Sequence, residues 1–226
     1  MHVEPAFPSR CSPLKLASLN KSLNEQQKDA IISTGFGSLL EMQSQNLQRD
    51  FIRKLVSHFN PLTSRIEFGR FKSYDVTPVA VARALGLDSG TKPLPKDQHE
   101  DHVKKMRQLF GENNSDRFST RNIEAFIKKQ TEEGLAGEEF IRAYLLFAFA
   151  SFLCPTTKDE AGPKLYPPIL DFDVDHCREY AWSEFIHEWL VTQLSKYKSR
   201  VPSDMTKKET GGIGGCLHVL MVKLAF

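Results

Sequence analysis

The sequence predicts an all-α fold, a single multi-helix globular domain around a buried central helix at residues 137–154, with one small β-hairpin near residues 64–74. Apolar side chains recur at steps of three and four residues along most of the chain, which is the period of an α-helix. Residues 137–154, GEEFIRAYLLFAFASFLC, are apolar on every face, and a helix of that kind is buried on all sides. Apolar and polar residues alternate only near residues 64–74, around Gly69.

The order of the elements follows from caps and breakers. Residues 1–13 carry three prolines and no periodicity, so they predict a flexible N-terminal arm before one helical domain at residues 14–226. The other helices are predicted between Ser22 and Gly35, at Leu47–Phe59, between Thr77 and Gly86, and at His99–Phe110, Thr120–Glu133, Asp175–Tyr197 and Ile213–Phe226. A proline-rich loop at residues 155–168 follows the central helix.

Composition and charge restrict the classes of function. The net charge of +2 is too small for bulk electrostatics to argue for nucleic acid. The central helix is shorter than the roughly 20 apolar residues that cross a bilayer, so no membrane is predicted. The N-terminus has no signal-peptide pattern, which predicts an intracellular protein of the nucleus or cytoplasm. The four cysteines are far apart and form no CxxC pair, so buried reduced thiols are favoured over a disulfide or metal framework.

Four short motifs suggest chemistry, and each has a simpler structural interpretation. Residues 171–175, DFDVD, lack the glycine and glutamate of a calcium loop. A single Glu184–His187 pair is insufficient for a di-iron bundle. The glycines at 211–215 lack the rest of a phosphate loop, and His99 with His102 is a weak metal pattern. We therefore predict no catalytic residue, no cofactor and no metal.

Several stretches occur in an order that resembles a known family. They are the helix end FIRKLVSHFNP, the segment TPVAVARALGLDSG from Thr77 to Gly90, FLCPT from Phe152 to Thr156, the YAWSEFI segment around Trp182, and GCL from Gly215 to Leu217. In this order they resemble the plant mobile domain family, also called aminotransferase-like, and the related N-terminal region of plant transposon-encoded proteins that carry a ubiquitin-like protease. The resemblance covers the chain from about Leu47 to its end.

The resemblance implies a helical, transposon-derived domain with nuclear roles and without an established catalytic activity. The chain has no protease domain and stops inside the last shared helix, which implies a short derivative with a regulatory role.

Three functions follow as hypotheses. The first is a non-enzymatic protein–protein interaction module that binds a protein partner or forms a homo-oligomer through the apolar C-terminal helix, with Leu217, Leu220, Met221, Leu224 and Phe226 as contact residues. The alternative is a nuclear nucleic-acid-binding protein that uses the basic loop residues Lys196, Lys198, Arg200, Lys207 and Lys208. The third is an unrecognised enzyme with a pocket beside residues 155–168.

Overall fold

Helices make up most of the computed structural model of this chain, which describes residues 9–43, 47–69, 72–88, 90–111, 116–200 and 212–222. The α-helices in these residues are α1 Pro13–Asn20, α2 Glu25–Ser33, α3 Arg49–Ser57, α4 Pro78–Leu85, α5 Glu100–Phe110, α6 Thr120–Glu132, α7 Glu138–Ala148, α8 Tyr166–Leu170, α9 Trp182–Lys198 and α10 Leu217–Val222. The mainly helical fold is as predicted.

Within the described ranges, two small antiparallel sheets accompany the helices. The first has the order β1 Phe59–Asn60, β2 Arg65–Phe68, β3 Lys72–Asp75. The β2–β3 hairpin confirms the one that was predicted, and its register pairs Ile66 with Tyr74. The second sheet pairs β4 Phe118–Ser119 with β5 Glu160–Ala161. The prediction of an all-α domain with a single hairpin is therefore corrected to a mainly helical fold with additional strands β1, β4 and β5, because two-residue strands are too short to show an alternating pattern.

The central helix is buried as predicted. Helix α7 begins after Gly137 and continues as a π-helical turn at Phe149–Leu153, in which Cys154 N donates to Phe149 O at 2.7 Å. Every residue from Phe140 to Leu153 except Arg142 is buried. Apolar side chains on all faces leave this helix no surface to present to water.

Arg142 is the one charged residue in that buried stretch. Its guanidinium donates to the backbone oxygens of Ile169 at 2.5 Å and Phe172 at 3.1 Å, and it pairs with Glu138 at 2.6 Å. Ile169 lies in the last turn of α8, and Phe172 lies just after the helix ends. A largely buried charge is tolerated when it is paired and hydrogen-bonded, so Arg142, whose side chain is 12% exposed, joins α7 to α8 and to the turn that follows it.

The segment from Thr77 to Gly90 positions α4. Thr77 Oγ1 accepts from Ala80 N at 3.2 Å as the helix cap, and Gly86 ends the helix in the left-handed conformation with a φ of 61°. Gly90 lies against the backbone of Glu179, where a Cβ atom would come within 2.0 Å of the carbonyl oxygen. Each of these residues therefore has a structural role.

Helix α9 begins later than predicted. The backbone of Lys92 pairs with Tyr180, and Ala181 N donates to Lys92 O at 2.8 Å, which holds this stretch in extended form. Before this stretch, residues 175–179 contain a short 3-10 turn at Cys177–Glu179. The helix itself starts at Trp182.

The two ends of the described chain meet beside the central helix. Ser9 forms a bridge with Ile213, and Ser12 N donates to Ser151 O at 2.8 Å. The predicted flexible arm covered residues 1–13. Its residues 1–8 lie outside the described residues, whereas residues 9–12 run along the core, with Cys11 buried. No helix in the described parts of the chain is long and apolar enough to span a bilayer.

The C-terminal helix packs inside the domain. Helix α10 lies against α3 and α4, and Leu217 and Leu220 are both at most 1% exposed. The prediction that these two leucines contact a partner is therefore corrected, because their side chains already form part of the domain's own core. Met221 is partly buried, and Leu224 and Phe226 lie outside the described residues.

Candidate functional site

A cleft of about 520 Å³ opens beside helix α9. Ligand clefts in proteins span about 300–1,000 Å³, so the volume is ample for part of a ligand. The cleft lies against the 155–168 loop, where the sequence suggested a pocket.

One wall of the cleft is a single face of α9. The side chains on this wall recur at steps of three and four residues and are Phe185, Glu188, Trp189, Thr192, Gln193 and Lys196. The backbone behind the wall is packed tightly. A Cβ atom on Gly214 would lie 2.8 Å from Gln193 Oε1, and one on Gly215 would lie 2.9 Å from Leu190 Cδ1. Glycines at these positions let the chain approach α9 closely and fix its position.

Loops form the opposite wall of the cleft. The residues on this side are Lys96, Gln98, Arg117, Thr156, Gly162, Pro163 and Lys164. Arg117 lies directly over Gly162, where a Cβ atom would be 3.0 Å from its Nη1 atom.

Asp159 anchors this loop wall to two helices. Its carboxylate accepts from Lys15 Nζ at 2.5 Å and from Thr120 Oγ1 at 2.8 Å. Partial burial acts to raise the pKa of Asp159, but the hydrogen bonds from Lys15 and Thr120 and the charge of Lys15 outweigh it, so the net shift is downward. The wall is therefore held by an ionised carboxylate.

The cleft carries more positive than negative charge. Four cationic side chains line it, at Lys96, Arg117, Lys164 and Lys196, against the single carboxylate of Glu188. Lys96 pairs with Glu188 at 2.5 Å, and Arg117 pairs with Glu160 at 3.0 Å. Lys164 and Lys196 are exposed and have no ion-pair partner among the described residues. Local charge is thus concentrated here although the net charge of the chain is small.

The two aromatic side chains of the α9 wall, Phe185 and Trp189, form the apolar floor of the cleft. Trp189 is half-buried, and its ring lies 6.1 Å from that of Phe185 at an interplanar angle of 39°. The indole Nε1 atom faces the backbone oxygen of Pro155 at 3.4 Å. The cationic side chains of Lys96, Arg117, Lys164 and Lys196 are the rim of the cleft. An apolar floor with a positively charged rim suits a ligand with both a flat apolar part and negative charge.

The lining supplies binding groups rather than a catalytic set. Among the described residues that line it, Glu188 is the only carboxylate and none is a histidine or cysteine, and Glu188 already faces Lys96. A general base needs a proton acceptor that is free to reach the substrate. The arrangement therefore suits recognition of an anion.

The structure separates the basic residues predicted to bind nucleic acid. Lys196 lines the cleft. Lys198 instead donates to the backbone oxygens of Ser57, at 3.2 Å, and Phe59, where it binds the end of α3 and strand β1. Arg200 folds back onto the oxygen of Lys196 at 2.9 Å. Lys207 and Lys208 lie outside the described residues.

The four motifs weighed for chemistry have structural partners. His102 is buried and its Nε2 atom lies 2.7 Å from Asp171 Oδ2, while its Nδ1 atom accepts from His99 N. His187 faces the backbone oxygen of Val76 at 2.6 Å. Gly215 N donates to Pro155 O at 2.8 Å, so that amide is not free for a phosphate. Within the described residues no group of three or more His, Cys, Asp or Glu side chains could hold a metal ion.

All four cysteines are buried free thiols, as predicted. Burial raises the pKa of Cys154 and Cys216 well above the usual value and that of Cys177 to about 12. For Cys11, burial is opposed by hydrogen bonds from Cys216 and from the amides of His218 and Leu217, which lower its pKa overall. The thiols contribute to packing inside the domain.

Sequence reasoning missed most of the cleft. It singled out Lys196, but it placed Trp189 in the apolar stripe of its helix and assigned no role to Lys96, Arg117 or Lys164. These residues come from four separate segments. The available signal was the proline-rich loop, which indicated where a pocket lies and not what lines it.

The family model described as "Domain of unknown function (DUF8566)" matches residues 9–221. No curated protein and no solved structure matches the chain.

Proposed function

The chain belongs to the DUF8566 family, and we propose that it is a non-enzymatic binding module that holds nucleic acid in the cleft beside α9. One observation carries the proposal: four cationic side chains surround an aromatic floor, with a single carboxylate among them. Lysine and arginine bind nucleic acid mainly through its phosphates.

The two unpaired lysines are the expected primary contacts. Lys164 lines the cleft from the loop wall and Lys196 from α9, and both are exposed, so each can contact a phosphate without breaking an existing ion pair. Lys96 and Arg117 already face carboxylates and contribute only if those pairs rearrange. Between two and four phosphate contacts are therefore expected.

A salt titration tests this function. The affinity for a fluorescein-labelled oligonucleotide is measured by anisotropy at increasing salt concentration. Two to four phosphate contacts with a single strand predict a slope of log K against log salt of about −1.4 to −2.8. Lys164→Ala combined with Lys196→Ala is expected to make the slope shallower by about 1.4.

A matched control separates the cleft from general surface charge. Lys105 is an exposed lysine on α5 that does not line the cleft, so Lys105→Ala is expected to leave the slope unchanged. Equal losses in the control and the cleft variants, or no binding at low salt, would overturn the proposal.

The resemblance to the plant mobile domain family adds a biological context to this proposal. It supports a transposon-derived regulatory protein of the nucleus, where nucleic acid is present. That part rests on the ordered motifs alone, and imaging of the tagged protein in plant cells would test it. Exclusion from the nucleus would contradict it.

Protein–protein interaction is a second candidate, now in the form of self-association. A second groove of about 520 Å³ lies along α4 and reaches the end of α10, and Val79 in it is 61% exposed. Asp75 and Arg83 also line it. In a two-fold dimer Arg83 of one copy can face Asp75 of the other, since such a contact is self-complementary.

Light scattering after size exclusion tests self-association. The parent is expected to form a dimer whose fraction increases with concentration, and Val79→Asp is expected to be monomeric because it places a charge in the apolar groove. A parent that stays monomeric at high concentration would remove this candidate.

A further inference from the structure

We infer that the cleft selects single-stranded over double-stranded nucleic acid, because Trp189 provides a platform on which an unpaired base stacks. This inference rests on the proposed function and names the form of nucleic acid that the site accepts.

Trp189 is held in place before any ligand arrives. Its ring packs beside Phe185 at 6.1 Å, and its Nε1 atom faces Pro155 O at 3.4 Å. Pro155 O also accepts from Gly215 N at 2.8 Å, which fixes that acceptor. Trp189 stays partly exposed and lines the cleft, so a planar ligand meets a surface that is already oriented.

The positive charges lie where a strand backbone would pass. Lys196 follows Trp189 by seven residues on the same face of α9, which corresponds to about 10 Å along the helix axis. Lys164 lines the same cleft from the loop wall. A base on the floor and its flanking phosphates at the rim therefore use the aromatic and cationic groups together.

Uncharged polar side chains lie between Trp189 and Lys196 on α9. Thr192 and Gln193 lie between Trp189 and Lys196 on the cleft face of α9. They can hydrogen-bond to base edges without preferring one base strongly. The affinity of the cleft is therefore expected to depend little on the base sequence of the strand, as is usual for stacking platforms.

Duplex nucleic acid cannot use this floor. Its bases are already stacked and paired, so their faces are not open to an aromatic side chain. It retains only the phosphate contacts at the rim. Because stacking of one base contributes on the order of tenfold or more in affinity, the single strand is expected to bind at least about tenfold more tightly.

Intrinsic tryptophan fluorescence tests the inference directly. The chain has two tryptophans, and Trp182 is fully buried, so quenching by a ligand reports on Trp189. The probe is an oligothymidylate of about 16 nucleotides, the upper end of the site size of single-strand binding folds. The comparison is the same strand annealed to its complement. Quenching by the single strand and little quenching by the duplex are expected.

Two variants separate stacking from charge. Trp189→Leu keeps an apolar side chain, and it is expected to bind both forms about equally with an unchanged salt slope. Trp189→Phe keeps an aromatic ring, so it is expected to retain most of the preference while losing the quenching. If circular dichroism shows that Trp189→Leu does not fold, the inference is tested by the quenching of the parent and by the strand preference of Trp189→Phe.

Each outcome has a definite meaning. Salt-dependent binding that is equal for single strand and duplex would overturn this inference and leave the proposed function standing. Tight single-strand binding without quenching would overturn the role of Trp189. Absence of salt-dependent binding to either form would overturn both the inference and the proposed function.

Discussion

His218 illustrates how a single buried side chain controls the response to acid. It is 7% exposed, its ring lies 5.8 Å from that of Phe152, and its Nδ1 atom has no hydrogen-bond partner among the residues that the structure describes. Burial disfavours the charged imidazolium and lowers the pKa of His218 below its usual value. The folded protein therefore holds this residue neutral at neutral pH.

The sign of the pH effect follows from that shift. When the folded pKa is lowered, the unfolded chain binds the proton more readily, so the free energy of unfolding decreases as the pH falls below about 6.5. His218→Phe removes this titration and is expected to lose less stability on acidification than the parent. Urea unfolding at several pH values measures the difference. Parallel pH profiles for the two proteins would contradict the prediction.

At the scale of elements, close backbone contacts decide which positions tolerate change. Helix α4 and the segment after it are held against residues 179–181 by Gly90 N donating to Tyr180 O at 3.0 Å and Lys92 N donating to Glu179 O at 2.8 Å. No side chain fits between these backbones at Gly90. The ordered motif from Thr77 to Gly90 is therefore explained by the packing of α4 and of the segment that follows it.

Gly90→Ala is expected to lower the free energy of unfolding by about 3 kcal/mol or more, because the added Cβ atom forces two backbones apart. Thermal melting measures the loss. Gly137→Ala is the matched control, since a Cβ atom there meets nothing within 4 Å, and only the effect of about 1 kcal/mol or less at a helix cap is expected. A Gly90 variant as stable as this control would contradict the close approach.

The loop wall of the cleft is held by the ion pair and hydrogen bond of Asp159. Its lowered pKa means that its contribution is present above about pH 4 and is lost as the pH falls through the lowered folded value. Asp159→Asn is expected to cost less than about 1 kcal/mol at pH 7, since the side chains of Asp159 and Lys15 are each 40% exposed and solvent screens them. The cost relative to the parent is expected to vanish in strong acid. A difference that grows as the pH falls would contradict this sign.

At the scale of the whole molecule, one core joins the chain from Cys11 to Leu220. Buried side chains from all ten helices that the described residues form, and from strands of both sheets, belong to a single contiguous cluster. The central helix lies inside it, with Phe147 completely buried. This continuity predicts one cooperative unfolding transition.

Phe147→Asp is expected to abolish that transition, because an unpaired carboxylate in the core costs more than about 4 kcal/mol. Leu62→Asp is the control, because it introduces the same carboxylate at a side chain that is 94% exposed. Its free energy of unfolding is expected to lie within about 0.5 kcal/mol of the parent's. Calorimetry compares the three proteins. A cooperative melt of the Phe147 variant near the parent's temperature would show that this helix is not the core.

The sequence alone determined the helical character, the buried central helix, the β2–β3 hairpin and the buried thiols, because each depends on residues that are neighbours along the chain. Only the tertiary structure showed that α10 packs inside its own domain. The apolar pattern of Leu217 and Leu220 is the same whether a helix packs on its own domain or on a partner. Likewise, only the fold brings Lys96, Lys164 and Lys196 around Trp189. Local periodicity records which side chains avoid water, but a site built from distant segments exists only once the backbone has placed them together.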